Sequence, residues 1–256
     1  MEPVERERVM LRRNFGGPSA ARARGGFTLV ELLVVIIIIS ILAAIAVPAV
    51  MRAVATANNA RIKTEIDMLH MAIMQYKNEY GSFPPAVDVD TAGNGGRINK
   101  HLQRLFPRIT GSFLLNSQTA GNVLPKNALV GWLTGYTDEP INPMGIKADS
   151  GGGVSLGLPK KKLFDFDTSR VTDMSPAGKQ FAPPSKPGSP YIYIDSGSYF
   201  ISGLPAIVEI DPKTTKPFNP DSFQIICAGR DEKYGNDDDM SNFWPSTRKD
   251  YLDSLK

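Results

Sequence analysis

Gly26-Phe27-Thr28-Leu29-Val30-Glu31-Leu32-Leu33-Val34-Val35 opens the apolar run that decides the fold. From Leu32 to Val50 there are 19 residues with one hydroxyl, Ser40, and no charge. As a helix, Phe27 to Val50 extends about 36 Å at ~1.5 Å per residue, enough to cross a bilayer core about 30 Å thick. A secretory signal would be shorter and would end at a small-residue cleavage site. Here Pro48 and more apolar residues follow Ala43, Ala44 and Ala46, so the run reads as a membrane span.

Upstream of the run, charge is asymmetric. The chain carries 29 Lys and Arg against 26 Asp and Glu, a net of +3. Residues 1–26 hold six arginines (Arg6, Arg8, Arg12, Arg13, Arg22, Arg24) and three glutamates (Glu2, Glu5, Glu7), so the remaining residues carry 23 of each sign and are neutral. An Arg-rich flank keeps the N-terminus cytoplasmic and sends the body outside. The neutral body gives no electrostatic argument for nucleic acid.

Two features distinguish this segment from a plain anchor. Glu31 sits four residues after Phe27 at the cytoplasmic end of the apolar run, where an acid is costly unless it has a partner; an interfacial glutamate that snorkels to water is the alternative. Gly26 directly precedes the Phe that opens the helix. A cut there by a protease on the cytoplasmic face removes the charged leader and leaves the apolar segment on the mature chain.

Residues 26–35 resemble the prepilin cleavage and methylation motif of type IV pilins and type II secretion pseudopilins. The resemblance implies a membrane prepilin peptidase that cuts after Gly26 and methylates the new amine of Phe27. It also implies that Glu31 pairs with the N-terminal amine of a neighbouring subunit, where opposite charges in low dielectric fix axial register. Pro48 falls where that family often has a helix-loosening proline, which removes one backbone hydrogen bond.

Beyond the span the helical rhythm continues over residues 51–80. Ile62, Ile66, Leu69, Ile73, Tyr76 and Tyr80 form one apolar stripe, with Arg61, Lys63, Glu65, Lys77 and Glu79 off it. The stripe is read as the face that packs on a globular domain, with Met68, Met71 and Met74 as secondary packing. His70 is read as satisfied or exposed. Gly81-Ser82-Phe83-Pro84-Pro85 is a stop signal, and Tyr76 to Pro84 resembles the end of the pseudopilin helix.

Residues 82–190 are read as a variable region with short helices over Arg97–Arg108 and Asn127–Leu133. Loops are expected at residues 148–159 and 176–190, and a solvated basic turn at Lys160-Lys161-Lys162. Gly151-Gly152-Gly153 lacks the Lys-Ser/Thr of a phosphate loop. Tyr191–Ile194, Tyr199–Ile201 and Phe223–Ile226 read as strands, the first two joined as a hairpin. The single cysteine, Cys227, reads as a buried structural thiol.

After the last strand, Asp231, Asp237, Asp238 and Asp239 fall within nine residues, with Gly229 and Gly235 allowing tight turns. Oxygen ligands on a loop suit Ca²⁺, and a solvated acidic turn is the alternative. The spacing is not that of an EF-hand. It resembles the C-terminal calcium loop of the major pseudopilin of type II secretion, which implies Asp231, Asp237 and Asp238 as ligands, with Asp239 as a further candidate.

The expected fold is α+β, a pilin fold. A long N-terminal helix, membrane-spanning in its first half, packs on a C-terminal antiparallel sheet beside an enlarged irregular middle. The expected organisation is a leader (1–26), a transmembrane half-helix (27–51), an extracytoplasmic half-helix (52–81), the variable region (82–190), and the sheet with its acidic loop (191–256). The expected function is that of a non-enzymatic pseudopilus subunit in the inner membrane, single-pass with its body periplasmic. It would polymerise with its own kind and other pseudopilins on an inner-membrane assembly platform. An adhesive or DNA-uptake pilin whose middle region binds a surface is the alternative. A tethered enzyme finds no support in the motifs: there is no HExxH and no Gly-x-Ser-x-Gly, and only two histidines, His70 and His101.

Overall fold

In this computed structural model residues 26–87, 96–109, 124–143, 146–147, 154–155, 159–173, 178–184, 188–201 and 207–256 are described. The basic leader up to residue 25, Gly151-Gly152-Gly153 and most of the loop expected at 148–159 lie outside them; most of the loop expected at 176–190 lies within them and contains a strand, Lys179–Phe181. The chain divides into two compact units, residues 1–51 and 52–256. Helix α1, Leu29–Tyr80, contributes to both.

In the first unit every helical residue is exposed, and an 18-residue window reaches a mean hydropathy of 3.1. A helix apolar on every side cannot be satisfied by water. Its length and composition allow it to cross a membrane. Pro48 lies inside the helix, and the hydroxyl of Ser40 donates back to the carbonyl of Ile36 at 2.6 Å.

In the second unit Ile62, Ile66, Leu69, Ile73 and Tyr76 are buried, and Tyr80 is half-buried. Fully burying side chains of this size contributes about 1.5–3 kcal/mol each. Glu65 departs from expectation: it is buried, not off the stripe. It stands three residues after Ile62 and four before Leu69, so a wide apolar face includes it. Its carboxylate accepts from the Tyr191 hydroxyl at 2.5 Å and from Arg170 Nη1 at 3.0 Å, and it pairs with Arg170 Nη2. The Arg170 guanidinium lies 4.4 Å from the Phe181 ring centroid. Met74 packs against the core, whereas Met68 and Met71 are exposed.

The helix stops where its sequence says. Gly81 takes φ +79°, a left-handed value that glycine adopts freely, and its N–H reaches the Lys77 carbonyl at 2.7 Å. The following prolines anchor the chain through their carbonyls. Tyr193 donates to Pro84 at 2.8 Å, and the Trp132 indole donates to Pro85 at 2.9 Å.

Two short helices follow, α2 (Arg97–Leu105) and α3 (Ala128–Leu133). Antiparallel two-residue strands pair as β1 (Tyr136–Thr137) with β4 (Lys160–Lys161), and as β2 (Ile146–Lys147) with β3 (Val154–Ser155). The basic turn is therefore a strand: Lys161 pairs with Glu79 at 2.7 Å, and Lys162 with Asp165 at 3.1 Å. β5 (Val171–Asp173) pairs with β6 (Lys179–Phe181).

The C-terminal sheet is antiparallel in the order β7 (Ile192–Asp195), β8 (Phe223–Cys227), β9 (Met240–Ser241). Tyr193 faces Ile225 and Ile226 faces Ser241 in register. Alternation along β7 divides two buried clusters. Tyr191 and Tyr193 join Phe223, Ile225, Cys227 and the α1 face, while Ile192 and Ile194 join Tyr199 and Ile226. Cys227 is buried, and burial raises its thiol pKa. A last helix, α4 (Arg248–Asp253), opens with a Thr247–Asp250 capping box.

Residues 199–201 do not form the expected second strand. Ser196–Ser198 make a 3₁₀ turn instead. The Tyr199 N–H goes to Ser196 and the Ile201 N–H to Ser198, so a hairpin partner finds those donors taken. Tyr199 turns inward and Phe200 is left 82% exposed. β7 pairs with the distant β8, giving the α+β arrangement of an N-terminal helix and a C-terminal antiparallel sheet.

Candidate functional site

The first candidate site lies at the start of α1. Gly26 and Phe27 are exposed, and a Cβ added at Gly26 would meet nothing within 4 Å. Among the described residues nothing packs on this position so as to require glycine. Thr28 and Glu31 form a reciprocal cap. The Glu31 N–H donates to Thr28 Oγ1 at 3.2 Å, and Glu31 Oε2 accepts from the Thr28 N–H and hydroxyl, each at 2.8 Å. A Thr-x-x-Glu box satisfies amides that a helix end otherwise leaves open. The carboxylate that the sequence marked as needing a partner thus has one three residues away. Sequence reasoning missed the role of Thr28, although the box is legible in the residues.

The second candidate site is the acidic loop after β8, where only Gly229 fits its position. A Cβ there would stand 2.1 Å from the Asp238 carbonyl oxygen. Gly235 adopts φ +88°. The four aspartates have separate jobs. Asp231 accepts from the Lys233 N–H at 2.9 Å and from the Asn236 amide at 2.8 Å. Asp238 Oδ2 accepts from the backbone N–H groups of Arg230 and, at 3.2 Å, Asp231. Asp237 is exposed, 3.9 Å from Arg248. Asn236, which sequence reasoning passed over, organises the turn through both its amide and its backbone.

Asp239 differs from the rest. It is buried, and its Oδ2 accepts from the Gly235 N–H at 2.5 Å and the Asn236 N–H at 3.4 Å. Its Oδ1 is buried without a hydrogen-bond partner. Burial pushes the pKa up to about 6, against the pull of the two backbone donors, with Glu209 and Asp238 adding to the rise. Among the described residues no three His, Cys, Asp or Glu are grouped to hold a metal ion. The oxygen-only donor chemistry suits Ca²⁺, and the unpartnered Oδ1 is the atom that most needs a cation or a proton. Residues that sequence reasoning placed together are therefore neighbours in one loop, with Asp231 and Asp238 turned onto backbone amides.

His70 is half-buried. Asn242 Nδ2 donates to its Nδ1 at 3.1 Å and its ring lies 4.9 Å from Phe223, so it is satisfied within the fold.

Residues 21–47 match the prokaryotic N-terminal methylation motif. That stretch contains Gly26, Phe27, Thr28 and Glu31 and most of the apolar half of α1. No curated protein matches the chain, and no solved structure does.

Proposed function

We propose that this chain is a structural subunit of a type II secretion pseudopilus, made as a precursor and polymerised through its N-terminal helix. The methylation motif over residues 21–47, set at the start of a helix with no polar face, carries the reading. The motif marks pilin-like subunits processed by prepilin peptidase, which would cut after Gly26 and methylate Phe27. That no packing contact constrains Gly26 puts any demand for glycine on the protease. The helix would sit in the cytoplasmic membrane with residues 52–256 outside, and would leave the bilayer by burying its apolar surface among copies of itself and other pseudopilins. Assembly would exchange the Thr28 donors on Glu31 for the Phe27 amine of a neighbour.

Ca²⁺ belongs to the same reading. Asp231, Asp237, Asp238 and Asp239 would hold it, and the buried, unpartnered Oδ1 of Asp239 supports a cation there. The ion would stiffen the loop behind β8; no catalytic residue is proposed.

Co-expression with a prepilin peptidase and the assembly platform, followed by intact-mass analysis and electron microscopy, tests the reading. The expected mature chain begins at N-methylated Phe27 and forms filaments, and Glu31→Ala inserts in the membrane but yields few. An uncut chain, or normal filament yield from Glu31→Ala, overturns it.

A further inference from the structure

Every charged side chain of α2 is basic. Its sequence, Arg97-Ile98-Asn99-Lys100-His101-Leu102-Gln103-Arg104-Leu105, contains no acid. Ile98 and Leu102 are buried, while Arg97, Lys100 and Arg104 recur at helical spacing along one side. These three line a cleft of about 390 Å³ together with Ser82, Phe83 and His101. In a body with equal numbers of acids and bases, three cations and no acid line this cleft.

The three cations are not equivalent. Arg97 is fixed: its Nη2 donates to Asp195 Oδ2 and its Nη1 to Ser198 Oγ, each at 2.6 Å. The remaining oxygen of Asp195 is occupied by the Ala86 N–H at 2.8 Å and by the Ser198 hydroxyl. Lys100 and Arg104 are exposed and have no acidic partner among the described residues. Arg104 instead donates to Ser82 Oγ, with His101 Nδ1 at 3.4 Å.

His101 reports the local field. It is enclosed by Tyr76 and Trp132 and by Ser82, with Arg97 and Arg104 on its own helix and Asp195 acting on it by charge. Its Nε2 meets the Tyr76 hydroxyl at 2.8 Å. Burial depresses its pKa to about 4, and Arg104 and Arg97 add to the fall against the opposing Asp195.

We propose that the α2 cleft is a binding site for a single phosphate- or sulfate-type oxyanion, with Lys100 and Arg104 as its charge-bearing ligands and Ser82 as a neutral donor. An arginine fork matches a tetrahedral oxyanion, and a lysine adds a mobile point charge. The neutral body offers no extended basic track, which favours one anionic group over a nucleic-acid backbone. The site stands independently of the filament reading, because every residue in it belongs to the second unit.

The test uses the full chain in detergent with a calcium chelator present. Inorganic phosphate is titrated against chloride at constant ionic strength, and melting is followed by the fluorescence of Trp132 and Trp244; the Trp132 ring is 5.5 Å from His101. At phosphate tenfold above Kd the melting temperature should rise by about 3–6 °C. Lys100→Ala and Arg104→Ala, both at exposed positions, should fold normally and each lose most of the rise. An equal rise with chloride, or an undiminished rise in the double variant, overturns the proposal. A short single-stranded oligonucleotide is the second arm. Binding of the oligonucleotide without any response to free phosphate would also overturn it, in favour of a polyanion surface.

Discussion

The two halves of α1 have the same backbone and opposite needs. In residues 29–51 no apolar side chain is covered by any other described residue; in residues 62–76 one face is sealed, including a charged group, Glu65. The second half draws its partners from its own chain, and the first half finds none among the described residues. A helix therefore does not announce its solvent by its periodicity alone. The absence of any polar face in the first half, and the presence of a single one in the second, separates them.

The strongest way to break this contrast is at Glu65. If the second half is self-sufficient, Glu65→Ala leaves half-buried Arg170 with only Asp167, at 3.4 Å, as a carboxylate partner and Tyr191 without its acceptor. The expected loss is about 3–5 kcal/mol, the cost of breaking a buried pair on one side. Chemical denaturation of the full chain in detergent, read by tryptophan fluorescence, measures it. Ile37→Ala, exposed in the first half, should leave the same curve unmoved. Equal effects from the two variants would erase the distinction.

The acidic loop challenges the contrast from the other side, because the proposed Ca²⁺ makes the second unit depend on an outside partner too. At 100-fold excess over Kd, Ca²⁺ should stabilise by about 2.7 kcal/mol, or roughly 5–10 °C in melting temperature. Asp239→Asn should abolish that rise, and in chelator it should not destabilise the fold, since it removes a buried charge whose Oδ1 has no partner. If wild-type protein melts identically with Ca²⁺ and with chelator, the loop is a hydrogen-bonded turn and the second unit is self-contained.

His101 sharpens the contrast within the core. Its folded pKa, about 4, lies below the usual 6.5. The unfolded chain takes up a proton first as pH falls, so stability present above pH 6.5 is lost between about 6.5 and 4. The share of His101 should reach about 2 kcal/mol at pH 5, with a smaller contribution of the same sign from His70, whose pKa burial also lowers, and one of opposite sign from Asp239, whose raised pKa lets the folded chain take up a proton first. The difference between wild type and His101→Gln in melting at pH 7 and pH 5 measures that share, and the variant should lose less stability on acidification. An unchanged pH slope in that variant would show that the imidazole is not held neutral.

Much of this contrast was legible in the residues. The apolar span, the 62–80 stripe and the Gly81 stop follow from side-chain polarity and one backbone angle, which are local properties. One misreading was non-local and another was local. Glu65 looked like a surface acid because Arg170, its partner, is 105 residues away. The strand at 199–201 was expected from its aromatics, but Ser196 and Ser198 accept the backbone donors a hairpin needs. The acidic loop was visible as composition, yet only its folding separates Asp239, buried with one free oxygen, from Asp231 and Asp238, which hold backbone amides. The basic face of α2 was present in the sequence, and it gained meaning only when Ser82 and Asp195 were brought beside it.

The smallest effect falls where the first half meets its only charged group. Thr28→Val removes the hydroxyl that Glu31 both donates to and accepts from, and costs the helix end about 1 kcal/mol. Such a loss is too small to unfold a helix that a membrane or a filament holds, so insertion should be unchanged. The consequence for assembly depends on what Glu31 does next. If it must leave Thr28 to meet a neighbour's amine, weakening the cap frees the carboxylate, and filament yield should stay level or rise while Glu31→Ala stays poor. If the cap itself aligns the carboxylate for that amine, Thr28→Val should lower yield toward the Glu31→Ala level. Yields of the two variants, compared at equal membrane levels, tell whether the first half of α1 holds its one charge in reserve or presents it already aimed.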